Sequence, residues 1–71
     1  MEEFHLRQED EFIKLGQALK AAGLVGSGVE AKIVIQDGEV TVNGEVCTER
    51  GKKLHDVDVA SFNGESVKFI K

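Results

Sequence analysis

The sequence predicts an α+β fold in which two packed helices are followed by a β-hairpin and a small, mostly antiparallel sheet. Apolar residues recur every three or four positions in the first third of the chain. A serine lies three residues before a glutamate at the start of a second apolar stretch, and two Asn-Gly dipeptides lie between runs rich in valine and phenylalanine. The first two patterns are typical of helices, and the third is typical of hairpins with tight turns.

The first two elements are a short strand and a helix. Weak alternation over Glu3–Arg7 predicts an N-terminal strand that joins the sheet, because a two-stranded ribbon alone is marginal in water. Asp10 can cap a first helix from about Glu11 to Ala22, and Gly23 ends it. The apolar face of this helix has helical spacing and consists of Phe12, Leu15, Leu19 and Ala22. Gly16 lies inside the helix, where it permits a close helix–helix contact.

A second helix follows from about Gly28 to Gln36. Ser27 and Glu30 have the spacing of a capping box, in which each side chain accepts a hydrogen bond from backbone at the helix start. Gly38 ends the helix, at a position where positive φ is needed.

Two hairpins complete the chain. Asn43-Gly44, flanked by Val40, Val42 and Val46, is the dipeptide best suited to a two-residue type I′ turn. A polar connector covers Thr48–Asp56, and a second hairpin is predicted from Val57–Phe62 and Ser66–Ile70 around Asn63-Gly64. We expect Asp58 to cap the turn before its strand.

Composition restricts the class of protein. The 71 residues predict one domain, near the lower limit for a self-sufficient core, with 41% hydrophobic and 31% charged residues. No apolar run is long enough to cross a membrane. Cys47 is the only cysteine and the acidic N-terminus has no long apolar stretch, so we expect a cytoplasmic protein without a secretory signal.

Charge is distributed unevenly within a net charge of −4. Residues 1–11 contain one cation and five carboxylates, whereas residues 12–54 contain six cations and five carboxylates. The acidic total argues against a nucleic-acid partner, but the locally basic middle of the chain permits one.

Several segments together resemble a known family. They are Leu19 to Gly23 as Leu-x-x-x-Gly, Ser27 with Ala31-Lys32, Gly38 to Gly44 as Gly-x-Val-x-Val-Asn-Gly, the basic Arg50 to Lys53, and Asp58. This order resembles the S4 domain, a small RNA-binding domain named after a ribosomal small-subunit protein, and is most similar to its stand-alone bacterial members. The resemblance covers residues 11–62 and implies an αL RNA-binding motif. Two positions depart from the family pattern: Gly28 stands where most members have arginine, and Val57 where a glycine is usual.

The resemblance and the charge pattern together predict a cationic face. It consists of Lys20, Lys32, Arg50, Lys52 and Lys53, which would neutralise RNA phosphates. Ser27 and Gly28, at a helix N-terminus, could hold one phosphate. Asn43 could contact a base or ribose from the hairpin tip, or could serve only as the turn residue that tolerates positive φ. From the residues alone, a solvated lysine surface is an equal alternative, and the resemblance favours RNA.

We therefore predict a monomeric, non-catalytic module that binds structured RNA, by analogy ribosomal or transfer RNA, without a cofactor or membrane association. His5, Cys47 and His55 are too few and too scattered for a zinc site. The phenylalanines lie at predicted core positions, so base stacking on exposed rings is not expected. The alternative is a protein-interaction adaptor, which would use the acidic N-terminal arm or a sheet edge.

Overall fold

Seven short strands and two helices follow one another in the computed structural model, which describes residues Met1 to Lys71. The order along the chain is β1 (Glu2–His5), β2 (Ile13–Lys14), α1 (Leu15–Ala21), α2 (Gly28–Gln36), β3 (Val40–Val42), β4 (Glu45–Val46), β5 (Lys53–Leu54), β6 (Val59–Phe62) and β7 (Glu65–Ile70). Neither helix is long and apolar enough to cross a membrane.

Five of the strands form one sheet in the order β1-β7-β6-β3-β4. Every pairing in it is antiparallel except that of β1 with β7, which is parallel with Phe4 opposite Phe69. The centroids of these two rings are 5.7 Å apart. The structure confirms the mostly antiparallel sheet and the N-terminal strand within it.

The start of the first helix differs from the sequence-based expectation. The helix begins at Leu15 rather than Glu11, and Asp10 is not its cap. Instead, Asp10 belongs to a turn in which its N–H donates to the Arg7 carbonyl (2.9 Å) and its carboxylate accepts from Arg7 Nε (3.2 Å). Phe12 therefore precedes the helix and is not part of its apolar face.

A two-stranded ribbon takes the place of the predicted first helical turn. Strands β2 and β5 pair antiparallel, with Ile13 opposite Leu54 and Lys14 opposite Lys53. The first N–H groups of α1 have no side-chain cap, but Leu15 donates to the Lys52 carbonyl (2.8 Å) and Gly16 to the Arg50 carbonyl (3.1 Å). These bonds satisfy donors that a helix start leaves open.

Gly16 contacts the connector rather than the second helix. A Cβ placed on it would lie 3.5 Å from Arg50 Cγ and 3.7 Å from the Arg50 carbonyl oxygen. The predicted close helix–helix contact at Gly16 is therefore wrong, and the glycine instead lets the connector approach the start of α1.

The two helices and the inner face of the sheet enclose the core. All 14 buried residues are apolar, and the largest fully buried side chains are Phe69, Leu15, Leu19, Ile35, Leu54, Val40 and Val67. Each of the two helices thus turns an apolar face inward, and residues of the two hairpins pack against these faces. Burial of these side chains is the main stabilising contribution in such a domain.

Both Asn-Gly dipeptides form two-residue turns, as predicted for Asn43-Gly44, whereas the second hairpin has a tighter turn than predicted because Glu65 already pairs with Phe62. Asn43 and Gly44 have φ values of 52° and 85°, and Asn63 and Gly64 have 54° and 79°. Two consecutive residues with positive φ define a type I′ turn. The predicted glycine stop of the second helix is also confirmed, since Gly38 has φ 76°.

Val57 carries backbone strain in the turn before β6. Its φ is 66°, a value that is costly for a β-branched residue, and its side chain is 57% exposed. We expect Val57→Gly to raise the free energy of unfolding by about 1 kcal/mol, because relief of the left-handed conformation exceeds the entropy that glycine adds to the unfolded chain. Urea unfolding followed by far-ultraviolet circular dichroism measures the change.

The matched control for this prediction is Val29→Gly. Val29 is also an exposed valine but has ordinary helical backbone in α2, so glycine there should lower stability by a few tenths of a kcal/mol or more. A loss of stability in both variants would show that the Val57 backbone is not strained.

Candidate nucleic-acid interface

A cleft of ≈ 400 Å³ lies between the start of α1, the N-terminus of α2 and the basic connector. Its lining contains three cations and neither a carboxylate nor an apolar side chain: Lys14, Gly16, Gln17, Lys20, Gly28, Arg50 and Gly51. We call it the cationic cleft. Positive charge without counter-charge makes it suited to an anion.

Backbone geometry brings the three cations together. Lys14 ends β2 and immediately precedes α1, and Lys20 lies in the last turn of α1, where a cation is favoured by the helix dipole. Arg50 is held beside them by its own carbonyl, which accepts from the Gly16 N–H. Because that bond uses only backbone, the guanidinium is free to bind a ligand.

The N-terminus of α2 opens into the same cleft through Gly28. The Ser27 Oγ accepts from the Glu30 N–H (3.1 Å), and the Glu30 carboxylate accepts from the Gly26 N–H (2.7 Å). The predicted capping pair is thus present, with the glutamate reaching one residue further back than usual. The N–H groups of Gly28 and Val29 have no acceptor within the helix. A Cβ on Gly28 would meet no atom within 4 Å, so a ligand can approach this backbone closely.

The cations in the middle of the chain form no close ion pairs. Every ion pair in the structure involves His5, Arg7 or Lys71. None involves the six cations of residues 12–54, which are Lys14, Lys20, Lys32, Arg50, Lys52 and Lys53. The close ion pairs are therefore confined to the ends of the chain, and the cations of residues 12–54 remain outside them.

Two of these cations lie opposite each other. Lys14 and Lys53 are direct cross-strand partners in the β2–β5 ribbon, an arrangement that places like charges on one face and costs stability. The Lys53 ammonium lies 4.9 Å from the centroid of the Phe12 ring, which offsets part of that cost by a cation–π interaction. An anion bound between the two lysines would offset more of it.

Asn43 links the tip of the first hairpin to the turn before β6. Its side-chain amide donates to Asp58 Oδ1 (3.0 Å), and its oxygen accepts from the Val59 N–H (2.9 Å). Asp58 Oδ2 also accepts from the His55 N–H (2.7 Å), which confirms that Asp58 caps this turn. Both polar groups of the Asn43 side chain are thus engaged within the protein.

The environment of Asp58 lowers the pKa of its carboxyl group. Burial by itself raises the pKa, but hydrogen bonds from Asn43 and the His55 backbone and the charges of His55 and Lys52 outweigh it. The folded state therefore holds the carboxylate ionised more strongly than the unfolded chain does. The resulting stability is present above the unfolded pKa and is lost as the pH falls through the lower, folded pKa.

We expect this loss below about pH 4, the ordinary aspartate range. In that range the free energy of unfolding of the wild-type protein should fall more steeply than that of Asp58→Asn, which has no proton to bind at this position. Urea unfolding at a series of pH values measures both curves. Parallel curves for the two proteins would contradict the assignment.

The predicted site residues do not all lie in one place. The cationic cleft brings together Lys20, Gly28 and Arg50, and Ser27 directly precedes Gly28. Asn43 and Lys52 line a separate depression of ≈ 470 Å³ together with the carboxylates Glu45, Glu49 and Asp58. Lys32 is exposed on α2 and lines neither depression, and Lys53 lies over Phe12 on the ribbon.

Lys14 and Gln17 line the cleft but were not among the site residues predicted from the sequence. Both lie within the predicted first helix, where no neighbouring residue in the sequence indicated a binding site. The pairing of Ile13-Lys14 with Lys53-Leu54 is the only feature that could have placed Lys14 in the cleft. Strands of two residues are too short to be recognised from the sequence.

Comparison with known families gives a match over nearly the whole chain. The S4 domain family model matches residues 4–70. The chain belongs to the S4 domain family. This confirms the resemblance drawn from the sequence motifs.

Two similar proteins come from Bacillus subtilis and Escherichia coli. The chain is 43% identical over 56 residues to a Bacillus subtilis protein named as a probable ribosome maturation protein, RlbA, a match that covers 79% of each. It is 38% identical over 58 residues to YbcJ of Escherichia coli, which covers 82% of this chain and 83% of YbcJ.

Solved structures show the same fold. The solution structure of YbcJ, described as revealing an αL motif involved in RNA binding, is similar with a TM-score of 0.74 and 35% identity, covering 100% of this chain and 89% of YbcJ. The 30S ribosomal protein S4e of Thermoplasma acidophilum has a TM-score of 0.62 and 26% identity over 82% of this chain and 31% of S4e. The S4 fold of this chain, with its α+β layers, is thereby confirmed.

Proposed function

We propose that this S4 domain is a non-catalytic module, residues 1–71 acting as one unit, that binds structured RNA through the cationic cleft. The RNA phosphates would lie against Lys14, Lys20 and Arg50, with the open N–H groups at the start of α2 donating to one of them. Ser27 supports this site by capping α2, and Lys32, Lys52 and Lys53 extend the positive surface around it. We propose ribosomal or transfer RNA as the target class, bound by a monomer in the cytoplasm without a cofactor.

One observation carries this proposal: the six cations of residues 12–54 form no close ion pairs although the whole chain has a net charge of −4. Three of them, Lys14, Lys20 and Arg50, line one cleft that contains no carboxylate. The close ion pairs are confined to the ends of the chain. The family membership and the αL motif described for YbcJ support RNA as the anion.

The lining of the cationic cleft supports one proposed mode of RNA recognition. The cleft has no aromatic lining, so stacking of unpaired bases does not contribute there. Its donors are ammonium, guanidinium and backbone N–H groups, which suit phosphate oxygens. We therefore propose that the domain recognises the shape and phosphate spacing of a folded RNA. Asn43, whose side chain is already hydrogen-bonded within the protein, would contribute by holding the hairpin rather than by contacting a base.

Titration of labelled cellular RNA and of a matched random duplex DNA, at several salt concentrations, tests the proposal. If about four or five phosphates are contacted, the logarithm of the affinity should fall against the logarithm of the salt concentration with a slope of roughly −3 to −4. Affinity should be higher for RNA than for DNA. The absence of binding even at low salt would contradict the proposal and favour the protein-adaptor function.

A further inference from the structure

A second groove, of ≈ 700 Å³, lies between β1, the residues that follow it and α1. Five apolar side chains line it: Phe4, Leu6, Phe12, Ile13 and Ala21. Its charged lining consists of Arg7, Glu9, Asp10 and Glu11. We call it the acidic groove. Gln17 lines both this groove and the cationic cleft, so the two sites are neighbours across α1.

The carboxylates of the acidic groove exceed the cations beside them. Arg7 is the only cation in the lining, and its Nε lies 3.2 Å from Asp10 Oδ2 and 3.9 Å from Glu9 Oε1. Lys71 adds a second cation at the margin of the groove, since its Nζ lies 3.8 Å from Glu11 Oε1 and donates to the Asp10 carbonyl (2.8 Å). Glu2 and Glu3 on β1 add further negative charge next to the groove. An anionic partner such as RNA is therefore repelled here, and a cationic one is attracted.

A free strand edge runs beside the groove. Strand β1 is the last in the sheet order and pairs only with β7. Leu6 donates its N–H to the Ile70 carbonyl, so the alternation of a parallel ladder directs the N–H groups of Glu3 and His5 away from the sheet. These groups can pair with an added strand.

We propose that the acidic groove and the edge of β1 bind an extended, basic segment of a partner protein. The segment adds to β1 as a strand, and one apolar side chain enters the groove against Phe4 and Phe12. Its lysines or arginines lie near Glu9 and Glu11. A second copy of this chain is a poorer occupant, because its own β1 edge carries the same carboxylates and like charges would face each other.

A peptide titration tests this proposal, independently of RNA binding. The probe is a short fluorescein-labelled peptide with lysines on both sides of a central phenylalanine, and anisotropy measures its affinity. The double substitution Glu9→Lys, Glu11→Lys should lower the affinity for the peptide about tenfold. It removes two attractions between carboxylates and peptide lysines and adds repulsion. The matched control is Glu39→Lys with Glu65→Lys, which changes the net charge equally at exposed positions outside the groove and should leave affinity unchanged.

Amide hydrogen exchange locates the binding. The lysine peptide should slow exchange at Glu3 and His5, and a peptide with glycine in place of phenylalanine should bind more weakly. Equal binding of a glutamate-flanked peptide would overturn the proposal, as would protection of the opposite sheet edge at β4. Self-association of the protein that disappears in the Glu9→Lys, Glu11→Lys variant would also overturn it, by assigning the groove to a second copy.

Discussion

Reversing the charges of Lys20 and Arg50 together, as Lys20→Glu with Arg50→Glu, is expected to lower the affinity for structured RNA about a hundredfold. Each reversal removes one phosphate contact and adds repulsion, and each tenfold loss corresponds to about 1.4 kcal/mol. The salt slope should become less steep by about two units, because about two fewer counterions are released. Titration against the same RNA at several salt concentrations measures both quantities.

The fold should survive these substitutions. The hydrogen bond from the Gly16 N–H to the Arg50 carbonyl does not depend on the Arg50 side chain, and glutamate keeps the Cγ methylene group that lies near Gly16. The Lys20 side chain is exposed. A far-ultraviolet circular dichroism melt of the variant should therefore show a cooperative transition, with stability lowered by only about 1 kcal/mol because Lys20 no longer complements the dipole of α1. This measurement separates loss of binding from loss of structure.

Lys68→Glu with Lys71→Glu is the charge-matched control, and its melt is also recorded because Lys71 forms an ion pair with Glu11. It changes the net charge by the same amount, but neither residue lines the cationic cleft. We expect its affinity for RNA to fall by much less than that of the cleft variant. Equal losses in the two variants would show that binding arises from diffuse charge attraction, and the cleft would then not be the site.

Those parts of the fold that depend on a few neighbouring residues could be predicted from the sequence. Each Asn-Gly turn depends on two residues that tolerate positive φ, and both turn positions were predicted and confirmed. The second helix was also predicted with its observed bounds, because its cap, apolar positions and glycine stop lie within a dozen residues of one another.

The start of α1 could not be predicted in this way. Asp10 and the spacing of Phe12 favour a helix locally, but Ile13 and Lys14 pair with Lys53 and Leu54 from a distant part of the chain. That pairing, and the two carbonyls that the connector offers to Leu15 and Gly16, satisfy the backbone without an extra helical turn. A non-local contact has outweighed a local preference.

The same effect explains the incomplete prediction of the site. Lys20 and Arg50 were included because the family resemblance and the local charge pattern marked them. Lys14 was not included, because its position beside Arg50 depends on the β2–β5 ribbon. The residues that line the cleft come from three separate segments, and only the fold brings them together.

Replacing Asn43 with alanine is expected to lower the free energy of unfolding by about 3 kcal/mol. About 1 kcal/mol comes from the left-handed backbone, which alanine adopts less readily than asparagine. The rest comes from two lost hydrogen bonds, one of which involves the charged Asp58 carboxylate. For a domain of this size the loss corresponds to a fall of about 12–24 °C in the melting temperature, measurable by circular dichroism.

The second Asn-Gly turn supplies the control. Asn63 has nearly the same φ as Asn43, 54° against 52°, but its side chain makes no hydrogen bond within the protein. Asn63→Ala should therefore cost only the backbone contribution, about 1 kcal/mol. Asn43→Gly isolates the other contribution, since glycine adopts positive φ freely but lacks the amide. If Asn43→Ala and Asn63→Ala were equally destabilising, the contacts of Asn43 with Asp58 and Val59 would add nothing to stability, and its side chain would be free for RNA.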